Sequence, residues 1–241
     1  MKMVRSYVTR CLGRLSEVAY NSMNILPPQE QVYRHLFLRD IARAGVEDDF
    51  YPVSGAANFS LLYLLARSFA ELPISQVVEF GAGQSTVLID RLASRWQEPV
   101  VVTTFEQDAY WAAAIGQKVR HPIVYAPLVR TTVGDRTVAF YDPTRFADLA
   151  RPDLVLIDGP TAYTVSSRYD RVGSVNFLTT RLADEFAVIF DDGERGGEAE
   201  AAGRFRAWLE GRGIQFYENT VRAAKQQRIF CTEKFRAAAY F

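Results

Sequence analysis

The sequence predicts an α/β fold: a mostly parallel sheet covered by helices on both faces, finished by an antiparallel hairpin and preceded by a helical extension. Three observations carry this. Short, continuously apolar runs alternate with segments of helical spacing, as strands buried on both faces require. A glycine-rich turn, "VVEFGAGQST" (77–86), joins the first convincing strand to a helix start. The chain ends in two strand-like runs, "IQFYENT" and "QQRIFCT", whose short polar connection suits an antiparallel pair.

The elements follow in order. Residues 1–55 are expected to form the helical N-terminal extension and residues 56–241 the main domain. In the extension Val4, Val8, Cys11, Leu12, Leu15, Val18 and Ala19 recur at helical spacing among Lys2, Arg5, Arg10 and Arg14. The expectation is a helix packed on its own domain or on a second subunit; a helix lying on a membrane surface is the alternative. The prolines of "LPPQE" (26–30) are read as stopping a helix. "NFSLLYLLARSF" (58–69) has helical spacing. Strands are expected over 74–80, 99–106, 122–129, 151–159 and 184–192, with helices over 85–96 and 108–119. "VRTTVGDRTVAFYD" reads as a hairpin turning at Gly134-Asp135. "EAEAAGRFRAWLEGRG" reads as a helix ending in glycines.

Composition bounds the function. Of 241 residues, 49% are hydrophobic and 23% charged, which suits a packed core and argues against global disorder. Formal net charge is zero with no long basic block, so binding to nucleic acid is not expected. Two cysteines, Cys11 and Cys231, provide neither a disulfide framework nor a zinc site and fit a reducing cytoplasm. No apolar run approaches the roughly 20 residues needed to span a bilayer, and no secretory signal pattern opens the sequence.

In an open α/β sheet, ligands sit outside the carboxyl ends of the strands where the strand order reverses. Gly81 and Gly83 fall at such an end. There they let the backbone turn sharply and approach a ligand. The N–H groups opening the next helix, near Ser85 and Thr86, can bond polar ligand atoms. A dinucleotide fingerprint asks for a third glycine where Thr86 stands. The Glu79 carboxylate would repel a pyrophosphate but suits a ligand with an amino group and a cationic centre. S-adenosylmethionine is such a ligand.

"VVEFGAGQST", then "TTFEQD", "PDLVLIDGP" and "AVIFDDGER", in that order and each at the end of a predicted strand, resembles the class I S-adenosylmethionine-dependent methyltransferases over roughly residues 55 to 241. The resemblance implies a Rossmann-like, seven-stranded sheet with an antiparallel last strand. It also implies that Gly81, Ala82 and Gly83 line the methionine part of the cofactor, with Glu79, Ser85 and Thr86 close by. Glu106 would accept from the ribose hydroxyls, Gln107 would lie beside the adenine, and Asp158 would border the methyl-donor end. Many relatives carry an acidic residue after the third strand, whereas this chain reads "YAPL" there.

Asp158 ends one predicted strand, and Asp191 and Asp192 end the next. If the strands are neighbours, three carboxylates converge, which is costly unless they are protonated or bound to a cation. A hard divalent ion such as Mg²⁺ prefers such oxygens. The trio resembles that of the metal-dependent O-methyltransferases of small molecules, including bacterial sugar-tailoring enzymes. There the ion binds the acceptor hydroxyl and lowers its pKa. Asp158 and Asp191 are thereby candidate catalytic residues. The bland alternative is that "DGP" and "DDG" merely begin turns. His121 and His35 are expected to be structural or surface residues, and the lysine that some relatives use as base has no obvious counterpart after the fifth strand.

The expected activity is methyl transfer to a hydroxyl of a small polar acceptor, a sugar or glycan-linked hydroxyl by family analogy. Tyr163, Arg168, Tyr169 and Arg195 are candidates to touch it. A metal-independent N- or O-methyltransferase, an NAD-binding oxidoreductase and a non-catalytic ligand-binding protein stay open as alternatives. Self-association through the N-terminal helices is a further expectation.

Overall fold

The computed structural model describes residues 27–52, 56–95 and 99–241. The stripe from Val4 to Ala19 lies outside the described residues. The first described helix, α1 (Pro28–Arg43), starts where the sequence suggested a stop: Pro27 is its N-cap and Pro28 its first residue. Proline suits that position because its missing N–H has no partner in a first turn and its φ is already helical. Helix α1 packs along α2 (Phe59–Glu71). Phe37 and Ile41 share one buried core with Leu61, Leu62 and Leu65, so residues 28–50 belong to the main body. Asn58 caps α2 by accepting from the Leu61 N–H at 3.4 Å.

The strands are β1 (Gln76–Phe80), β2 (Val101–Glu106), β3 (Ile123–Tyr125), β4 (Leu128–Val133), β5 (Arg136–Tyr141), β6 (Leu154–Ile157), β7 (Ala187–Phe190), β8 (Tyr217–Arg222) and β9 (Gln226–Cys231). The further helices are α3 (Gln84–Ala93), α4 (Ala109–Gly116), α5 (Ser174–Arg181) and α6 (Gly196–Gly211). Seven strands form one sheet in the order β3-β2-β1-β6-β7-β9-β8. β1 pairs in parallel with β2 and β6, β2 with β3, and β6 with β7, while β9 runs antiparallel to both β7 and β8. The chain moves outward from β1 to β3 and then returns to β6 on the other side. The switch point therefore lies between β1 and β6, where the glycine turn ends β1.

Alternation along each strand feeds two cores. Val77, Leu154, Leu156 and Ile189 face α1, α2 and α3. Val78, Phe80, Val155, Val188 and Phe190 face α5, α6 and the β4–β5 hairpin. Phe80, just before the turn, is wedged among Phe105, Tyr141, Phe146 and Phe177 with ring centroids 4.9 to 5.7 Å away, which anchors the base of the glycine loop.

One expectation is corrected. The run 122–129 is not one strand: only Ile123–Tyr125 joins the main sheet, and Leu128–Val133 opens the separate hairpin. Pro127 between them lacks the N–H that a continued ladder needs. After β6 the chain winds through Asp170–Gly173 into α5 and buries Arg171. Among the described residues no helix is long and apolar enough to cross a membrane.

Candidate active site

A cleft of about 520 Å³ opens at the carboxyl edge over the switch point. Gly81, Ala82, Gly83, Ser85, Glu106, Gln107 and Asp158 line it. Gly81 sits at φ 94°, a backbone conformation that glycine tolerates and other residues rarely adopt. A Cβ there would lie 2.9 Å from the Gly159 N, so the tips of β1 and β6 touch backbone to backbone. At Gly83 the reverse holds. A Cβ would meet nothing within 4 Å, so the open space belongs to the cleft.

Side chains fix the loop from beneath. The Ala82 and Asp108 N–H groups donate to the two oxygens of Glu106, each at 2.9 Å. The Gly83 N–H donates to Thr86 Oγ1 at 2.8 Å. Trp111 Nε1 donates to the Ala82 carbonyl at 2.7 Å. Thr86 and Glu79 are buried and do not reach the cleft wall. Glu79 instead accepts from Ser85 Oγ at 2.6 Å and from Thr104 Oγ1 at 2.9 Å. Burial outweighs these hydrogen bonds and, with the nearby charge of Glu106, raises the Glu79 pKa to about 7. Gln107 donates to Thr161 Oγ1 at 2.9 Å and accepts from Tyr141 OH at 2.8 Å, which fixes its amide at the cleft floor.

Tyr110 and Trp111, in the first turn of α4, are largely exposed and form one wall. The sequence reading took them only as helix. Their signal was available: two adjacent aromatic residues in the first turn of the helix that follows the strand-terminal Glu106.

The structure brings Asp158, Asp191 and Asp192 together, with one oxygen from each within 4.8 Å of the others. The cause is the parallel pairing of β6 and β7, which sets Ile157 opposite Phe190 and aligns the strand ends. Asp192 adopts φ 54°, an uncommon state outside glycine that collects at functional sites. Sequence reasoning missed what surrounds the trio. Arg171 lies 3.3 Å from Asp158, 3.0 Å from Asp192 and 3.5 Å from the buried Glu198. Lys225, from the β8–β9 turn, lies 3.1 Å from Asp191 and 3.3 Å from Asp192. Arg195 lies 2.9 Å from Asp192. Gln227 Nε2 donates to Asp191 Oδ1 at 2.7 Å.

The charges follow. Burial opposes ionisation of Asp191, but Lys225, the Gln227 hydrogen bond and Arg171 outweigh it and hold the carboxyl below its usual range. Burial and the charge of Asp191 push Asp158 up. Burial disfavours the Lys225 cation, yet the three aspartates keep it firmly protonated. Both oxygens of Asp191 and Asp192 Oδ2 face donors of this chain, while Asp192 Oδ1 makes no hydrogen bond and lies 3.3 Å from the Lys225 ammonium, so a divalent ion does not fit the trio unless Lys225 is displaced.

Of the four acceptor-side candidates, Tyr163 lines the cleft, and the Arg195 guanidinium carbon lies 5.0 Å from its ring centre. Arg168 and Tyr169 do not line it; Arg168 stacks on Tyr169, as Arg136 does. His121 is held between Asp90 and Thr104, away from the cleft.

No protein-family profile and no curated protein matches the chain. Solved structures do. An O-methyltransferase from Bacillus cereus in complex with SAH aligns with TM-score 0.51 at 11% identity, over 84% of this chain and 91% of that one. The SAH-bound Podospora anserina methyltransferase PaMTH1 aligns with TM-score 0.49 at 12% identity, over 93% and 96%. A precorrin-6y C5,15-methyltransferase from Geobacter metallireducens aligns with TM-score 0.48 at 14% identity, over 77% and 95%. At these identities the likeness is one of fold. The fold is that of the class I S-adenosylmethionine-dependent methyltransferases.

Proposed function

We propose that this chain transfers a methyl group from S-adenosylmethionine to a hydroxyl of a small polar acceptor. The observation that carries the reading is the position of Asp158: it borders the cleft beside the glycine loop, whereas Asp191 and Asp192 are fully buried behind it. When bound, the cofactor supplies an electrophilic methyl on a positively charged sulfur. The chain supplies the rest. Gly81 and Gly83 leave room against the backbone, Glu106 stands at the ribose position, and Tyr110 and Trp111 offer an apolar wall for a base. Asp158 accepts the hydroxyl proton as the oxygen–methyl bond forms and the sulfur–methyl bond breaks, leaving S-adenosylhomocysteine and a methyl ether. Burial and Asp191 make Asp158 a stronger proton acceptor than a free carboxylate once it is ionised.

The Mg²⁺ expected from the sequence is assigned no step in this reading, because the aspartates already have cationic partners within the chain. The acceptor side, with Tyr163, Thr161 and the nearby Arg195, suits a hydroxylated molecule, and sugars head the candidates. The test incubates the protein with methyl-labelled S-adenosylmethionine and a panel of sugars, catechols and amines. Label is expected on a hydroxyl, with turnover lowered about 10²- to 10⁴-fold in Asp158→Asn while S-adenosylhomocysteine still binds. Label on amines alone, or undiminished turnover in that variant, would reject the reading.

A further inference from the structure

Lys225 reaches both Asp191 and Asp192. Its Nζ is 3.1 Å from Asp191 Oδ2 and 3.3 Å from Asp192 Oδ1. The other oxygens of the pair face Gln227 at 2.7 Å, and Arg171 and Arg195 at 3.0 and 2.9 Å. The lysine side chain is only 13% exposed, so its charge acts in a poorly solvated setting.

The turn that presents it is clamped on both sides. The Ala224 N–H donates to Glu30 Oε2 at 3.0 Å, and the Gln226 N–H to Glu194 Oε2 at 2.8 Å. Gln227 is fully buried, and its amide orientation is dictated: Oε1 accepts from Ser60 Oγ at 2.7 Å, and Nε2 donates to Asn58 Oδ1 at 3.1 Å as well as to Asp191. Asn58 Nδ2 in turn donates to Glu30 Oε2 at 2.8 Å. Every donor in this chain of amides has an acceptor. A lysine held from three directions is a fixed cation rather than a mobile surface charge.

We propose that the Lys225 ammonium, together with Arg171, takes the place of a divalent ion at the Asp158–Asp191–Asp192 cluster, and that Glu30 and Gln227 are positioning residues that hold the lysine there. This rests on the methyl-transfer reading for its purpose but not for its test. Without Lys225 the aspartate pair would lack its bridging cation, and a hard divalent ion would fit the vacated space.

The test uses the full chain and Mn²⁺ as probe, read by loss of the free-ion electron paramagnetic resonance signal, with S-adenosylhomocysteine titrated in parallel. Wild type is expected to take up no Mn²⁺, Lys225→Met to take up one equivalent, and Lys225→Arg none. Stoichiometric Mn²⁺ uptake by wild type that is lost in Asp191→Ala would overturn the proposal, as would a folded Lys225→Met protein that binds none. If Lys225→Met does not fold, the wild-type titration alone decides. Failure of S-adenosylhomocysteine to bind would instead count against the methyl-transfer reading and leave the Mn²⁺ result standing on its own.

Discussion

The ammonium of Lys225 sits 3.1 Å from the carboxylate of Asp191, a residue 34 positions earlier in the chain. Asp191 has no exposed surface, so the pair is a buried one. Removing one partner strands the other charge, which typically costs about 3–5 kcal/mol. Lys225→Met should therefore lower the unfolding free energy by an amount of that order, read as a drop in the urea midpoint, and saturating Mn²⁺ should recover part of it. A midpoint within error of wild type would show that the pair contributes little.

Glu30 gathers four donors: Asn58 Nδ2 and the backbone N–H groups of Phe59, Ser60 and Ala224. In Glu30→Ala all four lose their acceptor in a buried setting, at about 1–3 kcal/mol for each one left unsatisfied. The expected signature is local as well as global. Amide hydrogen exchange should accelerate at residues 223–227 more than in β1 or β6. Uniform acceleration across the chain would count against a specific clamp on the turn.

Gly81 and Gly83 should respond differently to the same substitution. Gly81→Ala forces a side chain into φ 94° and against Gly159, so a stability loss of about 1–3 kcal/mol is expected. Gly83→Ala adds a methyl into open cleft and should leave the melting temperature nearly unchanged while weakening S-adenosylhomocysteine binding. Thermal denaturation paired with calorimetric titration separates the two. Equal effects of both on stability would contradict this division.

The pH dependence of stability should carry the mark of Glu79, whose pKa is raised from 4.5 to about 7. Between those values the folded protein binds a proton that the unfolded chain has released. The contribution of Glu79 is thus fully present below pH 4.5 and is lost as pH rises to about 7. Its full size is on the order of 3 kcal/mol. Glu79→Gln, neutral throughout, should flatten that downward slope in urea unfolding measured from pH 4.5 to 7. An unchanged slope would mean that Glu79 is ionised in the folded state.

The central strands were legible because apolar runs such as "LVLI" and "AVIF" meet the demand of a sheet buried on both faces, and Gly81 and Gly83 marked where β1 ends. The acidic trio was legible too, since parallel pairing aligns strand ends. Its counter-charges were not. Lys225 reaches Asp191 only because β9 inserts between β7 and β8, a long-range pairing that no local pattern encodes. Arg171 was not singled out because α5 carries a weak helical signal: Val175, Thr179 and Thr180 are β-branched and Gly173 precedes it, so Phe177 and Leu178 hold it in place by packing. Glu79 read as a ligand contact from its place beside the turn, but strand alternation points it to the same face as Val77, beneath α3.

The most direct measurement is calorimetric titration of the full chain with S-adenosylhomocysteine, with NAD as control. The account predicts saturable one-to-one binding of the first ligand and no heat from the second. Binding of NAD in its place, or of neither ligand, would contradict the assignment of the cleft.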